Sequence, residues 1–226
     1  STVSANTTAG FSIVSYTGTG SEATVGHGLG AAPEWIVVKN RDTSKNWIVY
    51  HAHIHSSPAE KSINLNETAE LYDSAVTFND TAPTSTVFSV GTGQSTNKSG
   101  DDHIAYCFAP VAGFSAFGSY TGNGQHNNNL GPFIYTGFRP AFIMFKRTDN
   151  TGTWEMYDST RSPENPYKLA LLANDPMAEY NVGSYPADMV SNGFKIRHSG
   201  AAVNASGASY IYMAFAEHPF KTARAR

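Results

Sequence analysis

The chain repeats itself. Gly10-Phe11-Ser12-Ile13-Val14-Ser15-Tyr16-Thr17-Gly18 returns as Gly113-Phe114-Ser115-Ala116-Phe117-Gly118-Ser119-Tyr120-Thr121-Gly122. Between residues 33 and 50 the offset stays at 107 without a gap, matching Pro33/Pro140, Ile36/Ile143, Lys39/Lys146, Asp42/Asp149, Trp47/Trp154 and Tyr50/Tyr157. About one identity would fall there by chance. Asn97, Ser99 and Gly100 pair with Asn204, Ser206 and Gly207, and Ile104, Phe108 and Ala109 with Ile211, Phe215 and Ala216. The expected organisation is a linker over 1–9, one copy over 10–112, a second over 113–220 and a tail over 221–226. The first residue is Ser1, so the chain is expected to be a processed protein or, preferably, a piece of a longer one.

Each copy reads as short strands divided by turn residues. Glu34 to Lys39 is a nearly continuous apolar run, as expected of a strand covered on both faces. The polar stretch Asn40–Asn46 then separates it from Trp47-Ile48-Val49-Tyr50, a hairpin pattern repeated at Arg147–Thr153 and Trp154. Asn-x-Ser-Gly turns lead into the last strand of each copy. Helix patterning is confined to a turn or two at Pro58–Lys61 and Asn66–Leu71. About seven strands per copy predict an all-β fold, two tandem antiparallel β-sandwich (jelly-roll-like) units from internal duplication.

Composition narrows the partners. Charged residues are 15% and the net charge is −3, without the basic stripe of a nucleic-acid binder. The polar weight lies on Ser, Thr, Asn and Gly, beside 13 Phe, 12 Tyr and 3 Trp. The single Cys107 rules out an intrachain disulfide and sits in an apolar run, where a buried thiol is expected. No apolar stretch reaches the ~18–20 residues of a membrane-spanning helix.

Several strings resemble a known family: Val25-Gly26-His27-Gly28-Leu29-Gly30 with Ala32 to Lys39, Asn46-Trp47-Ile48-Val49-Tyr50-His51, Gly131 to Phe142, and Ile211 to Phe220. From about Gly10 to Phe220 the chain resembles an uncharacterised duplicated domain at the C-terminal ends of tail-fibre and other virion proteins of tailed, often marine, bacteriophages. The resemblance implies an extracellular virion protein that adheres to a host surface glycan or protein, usually as a homotrimer. It carries no catalytic or binding residues with it. A structural fibre-tip assembly domain and a polysaccharide depolymerase are the alternatives.

Three groups of residues are candidates. Were His51, His53 and His55 on a continuing strand, their imidazoles would share one face and could hold a transition metal. The second copy has Asp158, Thr160 and Ser162 there, so the unit itself requires no metal and no other cofactor is expected. Asp42 with Trp47, and Asp149 with Trp154, could bind a sugar by ring stacking and hydroxyl contacts. A strand-opening position in both copies also fits a core anchor, and the aspartates an Asx-type turn. The amide-rich loop holding Asn123, Gln125, His126 and Asn128 suits a neutral glycan, or is simply a solvated loop. The mid-copy segments Tyr72–Thr86 and Asn174–Asn192 differ most between copies, and Tyr180, Tyr185 and Met189 are expected against a neighbouring subunit. No nucleophile elbow, zinc-protease helix motif or phosphate-binding loop is present, so no enzyme activity is expected. Asp101, Asp102, Glu155 and Asp158 could approach other acids in space as a glycan-hydrolysing pair, though a solvated turn is expected at Asp101-Asp102.

Overall fold

The structure is a computed structural model that describes residues 1–126, 130–181 and 186–218. The expected tail over 221–226 lies outside the described residues. The class is all-β. Among the described residues no helix is long and apolar enough to cross a membrane. The chain divides into two compact units, Ser1–Asn66 with Leu71–Val111, and Glu67–Glu70 with Ala112–Arg226.

The first unit holds nine strands: β1 (Thr2–Asn6), β2 (Phe11–Thr17), β3 (Ala23–Gly26), β4 (Trp35–Asn40), β5 (Ile48–His51), β6 (Lys61–Asn64), β7 (Tyr72–Asp73), β8 (Val87–Val90) and β9 (Asp102–Phe108). Seven form an antiparallel sheet in the order β1-β2-β9-β4-β5-β6-β7, and β3 pairs with β8. The apolar run at Trp35 explains β4, in which Trp35, Ile36, Val37 and Val38 are all buried, so both faces of the strand are covered. One face of the large sheet shares a hydrophobic cluster with the small one: Val14, Ile36, Val38, Tyr50 and Cys107 pack with Val25, Phe88 and Val90. Cys107 is fully buried, which pushes its thiol up to about 12. Among the described residues helical structure is limited to a 3-10 turn at Pro58–Glu60, α1 (Ala75–Phe78) and α2 (Gln94–Asn97). Asn66–Leu71, expected to turn helically, does not.

Residues 1–9, expected as a linker, contain β1. It pairs with β2 from Thr2↔Ser15 to Asn6↔Phe11, while all five of its residues remain exposed. Its pairing rests on backbone hydrogen bonds at a sheet edge, which a small polar sequence permits and does not advertise.

The second unit holds β10 (Ser115–Thr121), β11 (Phe133–Tyr135), β12 (Pro140–Arg147), β13 (Trp154–Asp158), β14 (Leu169–Leu172), β15 (Tyr180–Asn181), β16 (Ala187–Val190), β17 (Gly193–Ile196) and β18 (Ser209–Ala216). Its large sheet runs β10-β18-β12-β13-β14-β15, and its small sheet β11-β17-β16. Removing the edge strands β1 and β16 leaves one topology in both units. The inner positions correspond as well: Val25 opposite Phe88 becomes Ile134 opposite Phe194. Tyr16 meets Phe88 edge-on with ring centroids 6.2 Å apart, and Tyr120 meets Phe194 in the same way at 6.4 Å.

Candidate functional site

The small sheets are tied to the turn that precedes the last strand by a buried polar scaffold. In the first unit the Tyr16 hydroxyl donates to the Thr96 carbonyl at 2.6 Å. Asn97, buried, accepts the Thr19 amide at 2.8 Å and donates to the carbonyls of Ser21 (2.6 Å) and Gly91 (2.7 Å). In the second unit Tyr120 donates to the Val203 carbonyl at 2.9 Å, and Asn204 accepts the Asn123 amide at 2.8 Å and donates to the Gln125 carbonyl at 3.1 Å. A buried amide with its donors and acceptors filled fixes the chain around it. Gly18 and Gly122 pass so close to this turn that a Cβ would stand 2.2 Å from the carbonyl oxygens of Lys98 and Ala205.

The outward faces of the small sheets are where the units part. In the first, the pairs pointing away from the cluster are Thr24↔Ser89 and Gly26↔Val87, of which Ser89 is buried. In the second they are Phe133↔Lys195 and Tyr135↔Gly193. Ile134 between them is buried, while Phe133 is 49% and Tyr135 67% exposed. Two residues along a strand separate same-face side chains by ~7 Å. Phe133 Cε2 lies 3.0 Å from where a Cβ on residue 193 would sit, and the Tyr135 hydroxyl 3.6 Å from the Cβ position of Gly137. The two rings thus lie over glycines and leave aromatic surface open to solvent. Across the sheet, Lys195 is opposite Asp188, and Asp188 forms an ion pair with Arg197. The sequence reading passed over this platform, because Phe-Ile-Tyr looks like core until the alternation of a strand sorts it. The signal available was the contrast with Thr24-Val25-Gly26.

The expected site residues do not form one site. Asn123, Gln125 and His126 are exposed on the loop the scaffold holds. The Asn123 side chain donates to the Leu130 carbonyl at 2.7 Å and accepts the Gln125 amide at 3.1 Å, so it spends its amide on the loop itself. His126 meets His198 edge-on at 5.0 Å. Burial lowers the His198 imidazole below its usual value, with His126 adding to the effect. Asn128 lies outside the described residues.

Trp154 is fully buried and is a core anchor rather than a sugar platform. Trp47 is half-buried, stacked with Tyr106 at 6.4 Å. Their backbone amides donate to Asn66 and Asn174 Oδ1 at 2.8 and 2.7 Å. Asp42 accepts the Asp102 amide at 2.6 Å, and Asp149 accepts Arg147 Nε at 2.8 Å, so both aspartates close their hairpin ends.

The histidine strand does not continue. β5 ends at His51, and the Ile54 amide turns back to the His51 carbonyl at 3.1 Å. His51 is buried edge-on to Trp35 at 5.1 Å, His53 binds Glu34 at 3.2 Å, and the His55 ring accepts the Ser57 amide at 3.1 Å. These residues do not fit a shared metal. Among the described residues no group of three or more His, Cys, Asp or Glu is gathered to hold one.

The four acids Asp101, Asp102, Glu155 and Asp158 are committed internally. Asp101 accepts Thr43 Oγ1 at 2.5 Å, Asn40 Nδ2 at 2.9 Å and Lys98 Nζ at 3.0 Å, which hold its carboxyl down at about 2, the Thr43 bond being the largest cause. Asp102 Oδ1 accepts the Thr17 hydroxyl at 3.0 Å. Asp158 binds Arg161 Nε at 2.5 Å, and Glu155 is buried. Met189, expected against a neighbouring subunit, is fully buried in the second unit's own core, and Tyr180 packs on that core's edge. Tyr185 lies outside the described residues.

The chain belongs to a family defined by a domain of unknown function, DUF7483, which it matches over residues 1–219. Neither a curated protein nor a solved structure matches it.

Proposed function

We propose that this family member is a non-enzymatic adhesion module, the receptor-binding end of a bacteriophage tail fibre that recognises a host-surface glycan. The observation that carries the reading is the Phe133–Tyr135 platform. Two large aromatic side chains lie on the outward face of a sheet whose twin in the same chain carries Thr24 and Gly26 there. The fold of the unit therefore does not require them. Exposed rings over a glycine floor suit the C–H face of a pyranose, whose weakly positive hydrogens meet the negative face of the ring. The acids Asp101, Asp158 and Glu155 are engaged within the protein, which favours binding over hydrolysis. The resemblance to phage fibre ends supplies the virion location and the trimer. We read each unit as a sandwich-like scaffold carrying one such face.

The test is whole-cell binding by the full chain, with Phe133→Thr and Tyr135→Ala together. Binding to a susceptible strain is expected to fall at least tenfold with the far-ultraviolet circular dichroism unchanged. Undiminished binding by the folded variant overturns the assignment of the site. An altered oligomeric state with cell binding intact assigns the rings to subunit assembly instead. Oligosaccharide released from host polysaccharide identifies a depolymerase.

A further inference from the structure

We infer that the outward face of the β11-β17-β16 sheet takes an acidic sugar, a pyranose bearing a carboxylate, with its ring on Phe133 and Tyr135 and its carboxylate on Lys195. The inference rests on the adhesion reading and adds the chemical class of the ligand.

The argument begins from the register. Phe133, Lys195 and Asp188 stand side by side across three strands and point outward together. Arg197, two residues beyond Lys195, is on the same face and pairs with Asp188. This face thus has two cations to one carboxylate, on a chain whose net charge is −3. The carboxylate is taken by Arg197, and Lys195 makes no ion pair among the described residues. An ammonium group beside an exposed ring offers an acidic sugar both of its needs: a stacking surface for the ring and a countercharge for the carboxylate.

The two copies differ in this charge. The position matching Lys195 in the first copy is Ser89, just as Phe133 matches Thr24. The inward partners keep their character, Val25 with Phe88 and Ile134 with Phe194. Ring and ammonium thus replace the pair Thr24 and Ser89 on one side of the sheet, while the packed side is held. Gly193 stands where the first copy has Val87; a Cβ there would meet the Ile134 carbonyl oxygen at 2.0 Å and Phe133 Cε2 at 3.0 Å, so backbone and ring both pass close over it. A neutral sugar would use the rings and leave Lys195 idle. An exposed charge pair is screened by salt, so the carboxylate contribution has its own signature.

The experiment uses the full chain on an array of bacterial surface polysaccharides, each printed in its native and its carboxyl-reduced form. The expected result is binding to uronic-acid-type or other carboxylated polysaccharides, at least tenfold weaker on their carboxyl-reduced forms and weakened by added sodium chloride. Lys195→Ser, the residue of the first copy, should lower binding to the native forms about fivefold or more and leave the reduced forms unaffected. Phe133→Thr should weaken both. Equal binding to native and reduced forms, or no effect of Lys195→Ser in a folded variant, overturns the acidic class while leaving the adhesion reading in place. No polysaccharide binding at all, with whole-cell binding indifferent to Phe133→Thr, overturns both.

Discussion

The Tyr157 hydroxyl donates to the Glu155 carboxylate inside the second unit, at a position where the first copy has Ile48. Glu155 and Tyr157 share a strand face, and Tyr157 belongs to the core cluster, so a carboxyl group stands where an aliphatic one suffices in the sister unit. Burial raises the Glu155 carboxyl above its usual value, against the hydrogen bonds from Tyr157 and Thr153.

This gives a pH dependence with a definite sign. The folded chain keeps the Glu155 proton to higher pH than the unfolded chain does. Its stabilising contribution is complete below the ordinary carboxylate range and is lost as pH rises through the raised folded value. Glu155→Gln keeps the shape and removes the titration. The melting temperature of the variant relative to the parent is expected to climb as pH rises from about 4 toward neutrality. A constant difference across that range would show that Glu155 does not titrate differently on folding.

Asn97→Ala and Asn204→Ala should each cost about 1–3 kcal/mol, because each strands buried backbone groups of a neighbouring loop. Asn97 serves the loop at Thr19 and Ser21 and also the Gly91 carbonyl, so its loss should be the larger. Urea denaturation of the two variants measures the difference.

Gly18→Ala and Gly122→Ala each place a Cβ 2.2 Å from a backbone oxygen, and each should destabilise by about 1–3 kcal/mol. Gly26→Ala is the control. Its Cβ would have no neighbour nearer than 3.9 Å, and the change should stay within about 0.5 kcal/mol. Restricting the unfolded chain makes Gly→Ala stabilising where the backbone tolerates a Cβ, so equal losses at all three positions would mean that the contact with Lys98 and Ala205 does not set the cost.

Cys107 is sealed in the first unit's cluster with its thiol pushed up to about 12. It should resist iodoacetamide at about pH 8 in the native protein and react once the chain is unfolded. Mass spectrometry of the alkylated chain reads this directly. Rapid native labelling would require local opening of β9.

How much could be read beforehand depended on whether side chains carried the information. The run Trp35 to Val38 announced a strand covered on both faces, and Trp154 at a strand-opening position announced a core anchor. In both cases burial writes itself into residue type. β1 was unreadable because Thr2–Asn6 pairs with its neighbour while every one of its small or polar residues stays exposed. The alternation drawn from His51 to His55 failed because a strand is a backbone state, and the chain leaves it at His51. The platform was legible only by laying one copy over the other. The offset there is 109 rather than 107, so the ungapped match that exposed the duplication hid the contrast between Phe133 and Thr24.

The alternating inward and outward residues of β11 and β17 uncouple two properties that proteins usually trade against each other. Residues 134, 194 and 196 answer to the core and Gly193 to the Ile134 carbonyl it passes, whereas the outward set 133, 135 and 195 answers to whatever the face meets. A library randomised at the outward set would sample new ligand preferences on an unchanged foundation, with the first copy of the same chain as its ready-made blank.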